Sequence, residues 1–148
     1  MARVLLREVD PKQAIAHAIW EARTCVDAWA FCAALAMLRK AIDLWSVEYQ
    51  ERHGLSFDSK AGEKDNIFWR LQKIAGENKL YADAIHQVID ELRLDANDAV
   101  HNSKVCIGEN RGYQGHQTLE TPLSPDSIKA PYSRLVTLVS GLISMTMR

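Results

Sequence analysis

Turn-forming residues are scarce in this chain. Seven glycines and four prolines in 148 residues, with no proline between Pro11 and Pro122, leave too little turn chemistry for a sandwich or barrel of short strands. Cysteine is sparse as well: Cys25, Cys32 and Cys106 show no CxxC spacing. On one helix Cys25 and Cys32 would stand about 10.5 Å apart along the axis, beyond disulfide reach. An odd, unclustered set reads as reduced thiols, and the opening MARVLLREVD has no signal-peptide core, so a cytoplasmic protein is expected. Long apolar runs are missing too. The longest uncharged ones, Ala28–Leu38 and Leu135–Met147, fall short of the ~20 residues that span a bilayer. No membrane partner is expected.

Neither charge sign dominates. Lys plus Arg number 18 and Asp plus Glu 19, a formal net charge of −1. That balance excludes a broad basic footprint for nucleic acid and leaves room only for a small, focused site. HExxH, a nucleophile elbow, a Gly-rich phosphate loop and paired-carboxylate spacing are all missing. His101, Cys106 and His116 lack a fourth ligand at zinc spacing, so no metal and no cofactor are expected.

What is present is helix-forming sequence. There are 18 alanines, and a quarter of the residues are Leu, Ile, Val or Phe, enough for one unstapled core over residues 1–148. Asp10-Pro11 reads as a helix N-cap with proline at the first helical position. Ile15, Ile19, Ala22 and Val26 then recur at three-to-four spacing, and the pattern continues to a C-terminal Gly54. So long a pattern conceals a break, for which Thr24–Asp27 is the candidate. Ala28–Leu38 is apolar on every side and marks the helix central to the bundle. Trp20, Trp29, Trp45 and Trp69 each follow an apolar stripe and are expected in the core. A short helix with Ile67, Phe68, Leu71 and Ile74 inside follows, then one over Leu80–His101. After a long irregular stretch, a last helix is expected from Pro131 to about Met147. Its apolar girdle, Leu135, Leu138, Val139, Leu142, Ile143 and Met145, suggests a homodimer. The fold class is therefore an all-α bundle of four or five helices.

The Leu80–His101 helix separates into three arcs at 100° per residue. Val88, Ile89, Leu92, Ala96, Ala99 and Val100 face the core; Gln87, Glu91, Asp95 and Asp98 form an acidic face. His86, Asp90, Arg93, Asn97 and His101 occupy the third arc. Arg93, Asn97 and His101 step by four along about 12 Å of one side. Such a flank reads either as solvated surface with an i,i+4 pair such as His86–Asp90, or as a polar binding groove. Arg39 and Asp43 share the same i,i+4 spacing, and Arg39 joins His86 and Asp90 as a weaker binding candidate.

The run Arg93-x-x-Ala96-Asn97-x-x-x-His101 resembles the R-x-x-G-N-x-x-x-H helix ending of the bacterial family called domain of unknown function 4145. Glu21-Ala22-Arg23-x-Cys25, Ala28-Trp29, Met37–Asp43 and Leu71-x-Lys73-Ile74 are similar to that family's earlier helices. The likeness covers about residues 14–104. It implies a HEPN-like bundle with a long Ala-rich central helix, of the kind found in antiphage and restriction-associated systems. Active HEPN members are metal-independent ribonucleases that pair an arginine and a histidine from each subunit across a dimer. Here Ala96 stands where their arginine immediately precedes the polar residue, and the nearest arginine is Arg93. The resemblance thus implies either a non-catalytic interaction or regulatory module with an RNA or protein partner, or a homodimeric ribonuclease. In the second case His101, Arg93 and Asn97 are the catalytic candidates, with His101 as acid/base and Arg93 on the phosphate.

Overall fold

Periodicity in the sequence turns directly into packing. The structure, a computed structural model, describes residues 8–55, 67–101 and 125–147. They form α1 (Pro11–Asp27), α2 (Phe31–Arg52), α3 (Ile67–Glu77), α4 (Ala82–His101) and α5 (Pro125–Thr146). Among the described residues there is no strand, so the architecture is an all-α bundle. The stripes marked by spacing are buried on α1 (Ile15, Ile19, Ala22 and Val26, with Ala18), on α3 (Ile67, Leu71 and Ile74) and on α4 (Val88, Ile89 and Leu92, with Ile85). Phe68, expected inside, is half-buried against the core, and the side chains of Ala96, Ala99 and Val100 lie outside the described residues. Helix α2 packs against all four others, with Leu35, Leu38, Ile42 and Trp45 inside, and is the central helix the sequence marks.

Tertiary contacts set the helix directions. Asp27, at the end of α1, pairs with Lys129 near the start of α5. Phe31, at the start of α2, stacks on Tyr132 at 4.2 Å between centroids. At the other end the Trp45 indole donates to Thr146 Oγ1 at 2.7 Å. The Tyr81 hydroxyl, just before α4, donates to the Met145 carbonyl at 3.4 Å. Helix α5 therefore runs parallel to α2 and antiparallel to α1 and α4. The C-terminal half of α4 points to the end of the bundle where α1 turns into α2.

Several expectations need correction. The break in the first long pattern lies at residues 28–30, after Thr24–Asp27, because those four residues stay helical. The Thr24 hydroxyl donates to the Trp20 carbonyl at 3.0 Å, a bond within the helix. Ala28, Trp29 and Ala30 consequently leave the helix and are exposed. Of the four tryptophans Trp45 alone is fully buried, while Trp20 is 61% and Trp29 45% exposed. Trp20 follows Ile19 by one residue, a 100° step that carries it out of the buried arc. Trp69 is half-buried, with the Lys73 ammonium over its ring. Helix α4 begins at Ala82 rather than Leu80, whose side chain is exposed.

Helix α5 starts at Pro125, not Pro131, which lies inside it. A proline at the seventh helical position loses one backbone hydrogen bond and sets its ring against the carbonyl one turn back, at about 3 kcal/mol, yet the helix continues through it. The apolar girdle of α5 is largely covered by its own bundle: Leu135, Val139 and Leu142 are buried, Leu138 and Ile143 pack against the core, and Met145 is exposed.

Candidate functional site

The α4 flank named by the sequence and a groove between α1 and α5 are the candidate sites. On α4, Leu92 and Ile89 anchor the helix in the core, which fixes the rotation of everything that follows. The backbone then carries Arg93, Asn97 and His101 helically, His101 as the last residue of α4. At 1.5 Å and 100° per residue they share one side over about 12 Å. Their side chains lie outside the described residues, as do Cys106, His116 and the rest of the stretch 102–124.

The companions in the same arc are resolved differently. His86 and Asp90 are both exposed, and no hydrogen bond or ion pair joins them; among the described residues the histidine–carboxylate i,i+4 pair is His17–Glu21 at 3.3 Å. Arg39 is half-buried on α2. Asp43, offered as its i,i+4 partner, takes the guanidinium of Arg70 from α3 instead. Arg70 also donates through Nε to Ser46 Oγ at 3.2 Å, and that hydroxyl donates to the Asp43 carbonyl at 2.7 Å. The result is a charge-assisted clamp joining α2 to α3. Sequence spacing missed it because its members are 24 and 27 positions apart. The one hint was Ser46, a hydroxyl on a stripe otherwise apolar.

The groove lies where α1 and α5 splay near the α1 N-terminus. It has a volume of 420 Å³ and a floor made by Ile15 and Ile19 from α1 and Ile143 and Met147 from α5. Lys12 and Ser140 stand in its wall. The Arg23 guanidinium donates to Ser140 Oγ at 3.4 Å, and Arg52 Nη1 reaches Met147 Sδ at 3.5 Å. A concave, mainly apolar surface with a few fixed polar groups is the general form of a binding site.

Among the described residues no three His, Cys, Asp or Glu side chains gather as a metal centre requires. Cys25 and Cys32 are half-buried, and no disulfide joins them. Among those residues no helix is long and apolar enough to cross a membrane. Compared with known proteins, the chain matches no family model, no curated protein and no solved structure.

Proposed function

We propose that the chain is a non-catalytic interaction module of the HEPN-like kind its sequence resembles, serving a defence or nucleic-acid-processing system. The supporting observation is the register of α4, in which Arg93, Asn97 and His101 follow at four-residue steps while Ala96 stands next to Asn97. Cleavage of a phosphodiester is accelerated by a cation held on the phosphate close to the acid/base. Arg93 lies about 4.5 Å further along the axis from His101 than position 96 does. That stretch suits a stripe that holds a partner better than one that cleaves it. The near-neutral net charge and the acidic Glu91, Asp95 and Asp98 on the neighbouring arc favour a protein partner over a polyanion.

The co-occurrence of Arg, Asn and His on one side favours a second reading, a metal-independent ribonuclease acting as a homodimer. With most of the α5 girdle covered, self-association rests on the α4 stripe, and light scattering that finds a monomer at micromolar concentration removes the dimer. Incubation with RNA in the presence of a chelator decides between the two readings. The expected result is no cleavage by the wild-type chain. A positioned acid/base contributes about 100- to 10,000-fold in rate. Cleavage lost in both His101→Ala and Arg93→Ala, with helical content unchanged, would replace the module with the nuclease.

A further inference from the structure

The α1–α5 groove combines an apolar floor with Lys12 in its wall and arginines at its ends, cations that have no carboxylate partner among the described residues. Lys12 lines it directly. Arg23 is held at one end by Ser140 and Arg52 at the other by Met147. The ion pairs among the described residues, His17–Glu21, Arg70–Asp43 and Lys129–Asp27, involve none of the three. Ser140 and Met147 are seven residues apart on α5, so the two arginines mark ends about 10 Å apart along that helix. Between these ends the floor is apolar, with Ile15 and Ile19 four residues apart on α1 and Ile143 four residues before Met147 on the α5 side.

We propose that this groove docks an acidic amphipathic helix of a protein partner. About two helical turns match the distance between the arginines. Apolar side chains at i, i+3, i+4 and i+7 meet the floor, and carboxylates before and after them meet Arg23 at one end and Lys12 with Arg52 at the other. A single-headed amphiphile such as a fatty acid satisfies one end only. A nucleic acid leaves the apolar floor without a partner. The groove uses none of Arg93, Asn97 and His101, so it stands or falls independently of the reading of α4.

The test uses the full chain and a fluorescein-labelled 14-residue helical peptide. Its leucines are at i, i+3, i+4 and i+7, with two glutamates on each flank, and binding is read by anisotropy. Saturable micromolar binding is expected, weakening as salt rises. The double variant Lys12→Glu, Arg52→Glu should weaken it about tenfold, since each exposed pair is worth a few-fold. Ala16→Glu, which puts a carboxylate on an exposed wall position, should weaken it at least as much. Gln72→Ala on α3 should leave it unaltered. Absence of saturable binding overturns the proposal, as does equal binding of the peptide with lysines in place of glutamates. Complete displacement by laurate reassigns the groove to a small amphiphile, and displacement by oligouridine reassigns it to a polyanion; either result overturns the protein-helix proposal.

Discussion

Helices α1 and α2 end in the same way with different residues. At the end of α2 the Leu55 amide donates to the Gln50 carbonyl at 3.0 Å and the Gly54 amide to Glu51 at 3.2 Å, with Gly54 at φ 60°. At the end of α1 the Ala30 amide donates to Cys25 at 2.8 Å and the Trp29 amide to Val26 at 3.1 Å, with Trp29 at φ 62°. Both are six-to-one, five-to-two closures around one left-handed residue. Glycine adopts that conformation freely, whereas a side chain there costs roughly 1–2 kcal/mol. Trp29 is compensated by its neighbours: its ring meets Phe31 at 5.8 Å, and Phe31 is stacked in turn on Tyr132. A helix stop can therefore be specified by local backbone freedom or by tertiary packing, and only the first leaves a mark in the sequence.

The strongest way to break this comparison is to remove the packing that supports the α1 stop. Phe31 is buried against Tyr132 and beneath Trp29. Phe31→Ala should cost about 3–5 kcal/mol, the usual range for a core phenylalanine. Urea denaturation measures it; a loss below about 1 kcal/mol would mean that the aromatic stack does not hold the turn.

A smaller effect is expected at the other stop. A Cβ added at Gly54 meets nothing within 4 Å, so Gly54→Ala changes conformational energy and little else. The left-handed backbone alone should make it cost about 1 kcal/mol. No loss in the same denaturation assay would show that α2 ends by a different turn in solution.

The contrast extends to what the sequence made readable. Asp10-Pro11 and Gly54 carry their backbone preferences in their own chemistry, and the stripes Ile67, Leu71, Ile74 and Ile85, Val88, Leu92 carry theirs in local spacing. Those elements were placed within a few residues. The register of Arg93, Asn97 and His101 was readable for the same reason, since it depends only on helical geometry. Pro131 reads locally as a helix start because an interior proline is unfavourable by about 3 kcal/mol, whereas in the bundle it is buried beside Tyr132 and Leu135, and that tertiary burial leaves no local mark. Arg70 on Asp43, Lys12 in the α1–α5 groove, and Arg23 on Ser140 and Arg52 on Met147 depend on where separate helices meet. No periodicity within one segment reports that, and Trp29 belongs to the same class.

The finest test compares glycine with alanine at both stops. In Trp29→Ala the ring contact with Phe31 is lost, a contribution of about 0.5–1.5 kcal/mol for an aromatic pair, while the left-handed strain remains. In Trp29→Gly the same contact is lost but the strain is relieved. Glycine should therefore exceed alanine at position 29 by about 1 kcal/mol, the same sign and size as at position 54. At an ordinary helical position the order reverses, because glycine is worse than alanine by about 1 kcal/mol there. The two Trp29 variants, unfolded side by side in urea, thus report the backbone conformation without requiring the wild-type ring as reference. A more stable alanine variant would place residue 29 inside a continuous helix and remove the turn between α1 and α2.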